Sequence, residues 1–264
     1  MDAVEVGGLR IAFRRQGQGP PLLLLHGGAS DGREWRPQLE SLAAEYDVVA
    51  WDAPGCGASA DPPDEFRLPD FADCAAGLAR ALGLVRPHVL GISFGAGLAL
   101  ELYRRHPAIP RTLLLASAYA GWAGSLPPGE VADRLAGALE QAERPPAEWA
   151  REWLPSLFTG EAPRAAVEEV VRIMLDVRPA GLRAMARSFA EADLRDVLPH
   201  IAVPTLLLHG ELDRRAPLSV AHELHATIPG ATLVVMSGVG HQSNLEAPDR
   251  FTEEVRAFLR AAAR

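Results

Sequence analysis

The feature that most constrains this chain is the regular return of short, almost wholly apolar runs, each closed by Gly, Pro or Asp. They cover Leu22 to His26, Val48 to Trp51, His88 to Ile92, Thr112 to Ala116, Thr205 to His209 and Thr232 to Met236. Runs this short and this continuous suit strands buried on both faces. Amphipathic stretches separate them, at about Trp35 to Glu45, Leu68 to Leu82, Phe94 to His106, Leu218 to Thr227 and Pro248 to Ala262, with apolar residues recurring at three or four positions. Two further runs, Val4 to Val6 and Leu9 to Arg14, flank Gly7-Gly8 and read as an antiparallel hairpin. Two hairpin strands and six buried ones predict an α/β fold: a mostly parallel, eight-stranded twisted sheet with helices on both faces and ligands beyond the carboxyl ends of its strands.

One stretch interrupts the alternation. From about Tyr119 to Pro199 the chain shows helical spacing (Val131 to Gln141, Ala147 to Phe158, Ala165 to Val177, Gly181 to Ala190) and no strand, with Pro127-Pro128, Pro145-Pro146, Pro163 and Pro179 as breakers or first-turn prolines. The expected division is a core over 1–118, a helical cap over 119–199 and a second part of the core over 200–264. At 264 residues, 48% of them hydrophobic, the chain supports one sizeable domain with an insertion.

Charge and composition remove several classes of function. The net charge of −8, with both signs interleaved, disfavours a nucleic-acid or anionic-membrane surface. All 26 basic residues other than His are Arg, which excludes a phosphate-loop lysine, a Schiff base and a pyridoxal-phosphate anchor. Cys56 and Cys74 lack metal-type spacing and are expected as reduced thiols. No leader-like apolar segment follows a basic start, and no run approaches the roughly 18 apolar residues that cross a bilayer. A cytoplasmic protein acting on a small molecule, as monomer or homodimer, is the expectation.

Gly91-Ile92-Ser93-Phe94-Gly95 directly follows one apolar run and directly precedes a helical one. A serine on that strand-to-helix turn is lifted from the sheet, and side chains two residues to either side would collide with backbone. A serine hydroxyl needs a base to become a nucleophile, and imidazole suits that task near neutral pH. Of eight histidines, His241 stands in a Gly-rich loop, Gly238-Val239-Gly240-His241, after the last apolar run; the others begin, precede or end strands, end a helix or lie on a surface helix. An imidazole base needs a carboxylate partner. Asp213, in the loop after Thr205 to His209, has more reach than its rival Glu211. Phe94 supplies one backbone N–H for an oxyanion, and His26-Gly27-Gly28-Ala29 a second, assigned to Gly28. Trp35, Tyr119 and Trp122 are candidates for contacting substrate, with Trp149, Trp153, Phe158, Met174, Met185 and Phe189 as further candidates for lining an apolar pocket. Arg183 and Arg187 are more simply solvated helix faces.

These segments together, with Asp-x-x-Gly-x-Gly-x-Ser at 52 to 59, resemble the α/β-hydrolase superfamily, and within it the small capped esterases, enol-lactonases and carbon–carbon bond hydrolases. The resemblance spans the chain outside the cap and implies no metal and no organic cofactor. It implies cleavage of a small, fairly apolar ester or lactone through an acyl-enzyme on Ser93, Asp213 and His241. The alternatives are carbon–carbon cleavage of a β-diketone or ring-cleavage product by the same residues, or a ligand-binding protein with little turnover. Relatives that dehalogenate haloalkanes or open epoxides use Asp where this chain has Ser93. Ring-cleavage hydrolases usually carry Ser-x-Gly-Pro-Gly where this chain has Gly28-Ala29-Ser30-Asp31-Gly32.

Overall fold

A computed structural model describes residues 1–262. Gly7 and Gly8 take φ of 56° and 83°, the left-handed pair that a two-residue hairpin turn requires, so β1 (Asp2–Val6) folds back on β2 (Leu9–Gln16). The six apolar runs form β3 (Pro21–Leu25), β4 (Asp47–Trp51), β5 (His88–Ile92), β6 (Thr112–Ala116), β7 (Thr205–Gly210) and β8 (Thr232–Met236). The eight strands make one sheet in the order β1-β2-β4-β3-β5-β6-β7-β8. β2 joins β4 antiparallel, and every later pairing is parallel. From β3 the chain steps outward to β4 and then back across to β5, so β3 and β5 flank the switch point where loops diverge and leave a crevice.

Period-two alternation makes each inner strand contribute to two cores. Leu22 and Leu24 of β3, with Val48 and Ala50 of β4, pack against α1 (Arg36–Leu42) and α10 (Pro248–Ala262) through Leu39, Leu42, Phe251, Val255 and Leu259. Leu23, Leu25 and Val49 face α2 (Leu68–Ala81), α3 (Phe94–Arg105) and α9 (Leu218–Thr227). Fully burying one such leucine is worth about 2 kcal/mol, so the two layers fix the strand register.

Between β6 and β7 lie α4 (Pro128–Gln141), α5 (Pro146–Trp149), α6 (Leu154–Leu157), α7 (Arg164–Leu175) and α8 (Pro179–Glu191). The helix expected over Ala147 to Phe158 is broken into α5, a 3-10 turn and α6. Pro155 is the reason: it offers no N–H and its ring excludes the carbonyl four residues back, so it is confined to a first turn. Pro37 acts likewise, and the helix expected from Trp35 to Glu45 is a 3-10 turn over Gly32–Trp35 followed by the short α1. The insertion is fastened to the core through Phe189 of α8. Its ring meets Phe94, Tyr119 and Trp122 edge-on at centroid distances of 5.4, 5.8 and 5.7 Å. Among the described residues no helix is long and apolar enough to cross a membrane.

Candidate active site

Ser93 takes φ 53° and ψ −113° between the end of β5 and the start of α3. A non-glycine residue held there costs on the order of 1–3 kcal/mol and persists only where its surroundings enforce it. Here they do. Ser93 N donates to Ala116 O at 2.9 Å, and Ser93 O accepts from Ala96 N and Gly97 N. A Cβ on Gly91 would lie 2.1 Å from Gly95 O, and one on Gly95 would lie 2.1 Å from Leu25 O. The two glycines let strand, turn and helix close to a distance that any side chain would prevent.

His241 and Asp213 meet from separate loops beyond β8 and β7. Asp213 Oδ2 lies 2.8 Å from His241 Nδ1, and Oδ1 lies 3.0 Å from the same nitrogen. Oδ1 also accepts from the Arg215 and Ala216 amides at 2.8 Å each. Burial opposes ionisation of this carboxyl, but the His241 imidazole beside it, together with the Ala216 amide, outweighs burial and brings it down to about 2. An ionised carboxylate only accepts, so Nδ1 carries a hydrogen and Nε2 is the ring nitrogen left free to exchange a proton. Ser117 Oγ donates to His241 O at 3.0 Å, and Gly240 N donates to Glu246 Oε2 at 2.9 Å, which fixes the loop. Glu211 is exposed and accepts from Ser237 Oγ and Gly238 N instead.

Ser93 and His241 line one cavity between sheet and insertion, together with Gly28, Phe94, Tyr119 and Trp122. Trp153, Leu157, Met185 and Phe189 supply much of its apolar wall. Of the sequence candidates, Trp35 is not brought there: it is wholly buried on the opposite face of the sheet against Phe251, 6.2 Å between ring centroids. The turn over Gly32–Trp35 directs its side chain into that layer. Trp149, Phe158 and Met174 pack in a separate cluster within the insertion. Arg183 pairs with Glu143 on the outside.

The loop after β3 is braced from below. His26 accepts from Ala53 N through Nε2 at 3.0 Å, so its Nδ1 donates to Gly27 O at 2.8 Å, and burial lowers its pKa. Asp52 accepts from Gly32 N and Ala58 N, tying the Asp-x-x-Gly-x-Gly-x-Ser turn to the same loop. Glu34, unremarked in the sequence, is fully buried and accepts from Gly27 N at 2.8 Å and Ser30 Oγ at 2.5 Å. The Gly27 amide is thereby occupied, and the next amide in the loop belongs to Gly28.

Burial pushes the Glu34 carboxyl up to about 7, against the pull of hydrogen bonds from Ser30, Gly27 and Gln242. The unfolded chain ionises this group near 4.5, so between about 4.5 and 7 the fold holds the proton that the unfolded chain has lost. The fold's preference for that carboxyl is complete below the lower value, declines as pH rises and is gone above the upper one. Urea unfolding of Glu34→Gln alongside the wild type is expected to show the variant gaining about 2–3 kcal/mol relative to wild type from pH 4.5 to 7.5. Parallel stability profiles would contradict this.

The sequence pattern of the alpha/beta hydrolase family matches residues 22–254. The 2-hydroxymuconate semialdehyde hydrolase of Pseudomonas sp. (strain CF600) is 32% identical over 280 residues, covering 98% of this chain and 93% of that protein. Among solved structures, a thermophilic esterase from Thermogutta terrifontis superposes with a TM-score of 0.92 at 29% identity, covering 99% of both chains. The enol-lactonase from Burkholderia xenovorans LB400 superposes with a TM-score of 0.89 at 25% identity, covering 98% of this chain and 99% of that one.

Proposed function

Because the chain belongs to the alpha/beta hydrolase family, we propose that it is a serine hydrolase cleaving a small carboxylic ester or lactone through an acyl-enzyme. The observation that carries this reading is the carboxylate-bound imidazole of His241 on the same cavity as a serine held in a strained turn. In the proposed reaction Ser93 Oγ attacks the carbonyl carbon while His241 Nε2 takes its proton, and Asp213 stabilises the imidazolium. The carbonyl oxygen becomes an oxyanion held by the Phe94 and Gly28 N–H groups. As the C–O bond breaks, His241 returns the proton to the departing alkoxide, then takes one from the water that attacks the acyl carbon and regenerates Ser93. Helices α4 to α8 act as the cap, with Tyr119 and Trp122 against the substrate.

Short and medium p-nitrophenyl esters are therefore expected to turn over, with Ser93→Ala reduced to the background rate. Failure on every ester and lactone tried would overturn the reading. A second reading, carbon–carbon cleavage with the same three residues, is favoured by the relative that hydrolyses 2-hydroxymuconate semialdehyde. Turnover of a vinylogous β-diketone in the absence of any esterase activity would select it.

A further inference from the structure

Beside Ser93, His241, Gln242 and Tyr119, two charged side chains line this otherwise apolar cavity, Arg134 and Arg215. Both arginines, with Trp122, Ala138 and Trp153, also line a second, outer pocket. They therefore stand where solvent passes into the space beside Ser93.

The two guanidinium groups differ in their partners. Arg134 is neutralised by Glu130 at 2.5 Å and donates to Tyr119 Oη and Arg215 O. Arg215 forms no ion pair among the described residues. Its guanidinium lies 4.4 Å from the centre of the Trp153 ring and donates from Nη1 to Ser156 Oγ at 3.1 Å. The acid two residues before it, Asp213, is committed to His241 and to two amides, and Asp133 lines the outer pocket but not the cavity. Burial, with the like charge of Arg134, lowers the Arg215 pKa more than Tyr119 and Asp213 raise it.

The backbone beneath this cation is unusually well fixed. Arg215 N is bonded to Asp213, while Arg215 O accepts from both Tyr119 Oη and Arg134 Nη2. The Trp153 ring 4.4 Å from the guanidinium carbon and one hydroxyl on Nη1 leave the remaining N–H groups to offer, and a guanidinium fork binds a carboxylate in two parallel bonds.

We propose that Arg215 anchors a carboxylate carried by the substrate, so that the protein acts on esters or lactones bearing a second, ionised carboxyl group in preference to neutral ones. The proposal rests on the serine-hydrolase reading for its reaction, and on the unpaired cation at the cavity mouth for its substrate class. A carboxylate there receives charge-assisted hydrogen bonds from a half-buried guanidinium, an interaction worth roughly 10- to 100-fold in kcat/KM.

The test compares matched substrates. Monomethyl glutarate is set against methyl pentanoate, placing the charge on the acyl side, and 4-acetoxybutyrate against butyl acetate, placing it on the alcohol side. In at least one pair the wild type is expected to favour the charged substrate by roughly 10-fold or more, mainly through KM. Arg215→Met is expected to lower that charged-to-neutral ratio by roughly 10- to 100-fold, and Arg215→Lys to keep part of it, because a point charge replaces the fork. A purely structural role for Arg215 would slow both members of a pair alike and leave the ratio where it was. Ratios at or below unity in both wild-type pairs, or a ratio unchanged in Arg215→Met, overturn the anchor while leaving the hydrolase reading standing. Absence of any ester hydrolysis overturns the hydrolase reading instead. Titration calorimetry with glutarate then decides the anchor by itself: weaker binding to Arg215→Met supports it, and equal binding sinks it.

Discussion

A folded His241→Ala protein is expected to hydrolyse any ester accepted by the wild type on the order of 10^5- to 10^6-fold more slowly in kcat. Without the imidazole nothing in the proposed relay takes the Ser93 proton. The Ser93→Ala/His241→Ala double variant should be no slower than either single one, because the two groups act as a unit. The loss also reaches Asp213. Its carboxyl is held near 2 against burial by the His241 imidazole and the Ala216 amide, and removing the ring takes away the larger of these opposing influences. In the wild type the depressed value makes the Asp213 contribution to stability full above the ordinary carboxyl range and lost as pH falls through about 2. In His241→Ala the carboxyl should titrate higher, so acid unfolding begins at higher pH. Progress curves give the rate, and circular dichroism against pH gives the second effect. A rate loss under 100-fold would remove His241 from the relay.

The second large effect is structural. Gly95→Ala places a methyl group 2.1 Å from Leu25 O, 2.6 Å from Leu25 C and 2.7 Å from His26 O. All three are backbone atoms at the end of β3, so no rotamer change relieves the collision, and α3 must move off the sheet. The expected cost is about 3 kcal/mol or more, a large part of a total stability of roughly 5–15 kcal/mol, seen as a melting temperature lower by about 10 °C. The folded fraction should be impaired as well, because a shift of about 1 Å between the Ser93 turn and the loop after β3 can cost about 100-fold in rate. Gly28→Ala is the control. No atom lies within 4 Å of the Cβ it would add, so its melting temperature should stay within a few degrees of wild type. Equal melting temperatures for Gly95→Ala and the wild type would contradict the close-packing argument.

The sheet was legible because its signal is local and redundant. β5, β6 and β8 begin and end at the residues where the apolar runs begin and end; β5 and β6 are buried along their whole length, whereas β8, at the sheet edge, is partly exposed. The turn at Ser93 was legible because glycine marks both sides of it: Gly91 avoids the backbone of its own turn and helix, and Gly95 the backbone at the end of the neighbouring β3. Helix boundaries were less legible where proline decided them, as at Pro37 and Pro155.

Side-chain direction was not legible at all. Trp35 and Trp122 look alike in sequence, yet one turns into the layer beneath the sheet and the other into the cavity. Glu34 reads as one acid among many on a helical stretch, and only the fold reveals that it is buried under the loop after β3. Arg134 reads as part of a solvated helix face, and Arg215 as a polar loop residue. One sequence signal for Arg215 did exist: it stands two places after Asp213, so a loop that delivers that carboxylate to His241 must also carry its neighbours across the cavity.

The most direct test of the account is covalent. Purified protein treated with a fluorophosphonate should gain the mass of one phosphonyl group, and peptide mapping should place it on Ser93. Ser93→Ala should gain nothing, and His241→Ala should react far more slowly. Labelling at another residue, or none at all in a preparation that hydrolyses esters, would contradict a nucleophilic Ser93 at the head of this site.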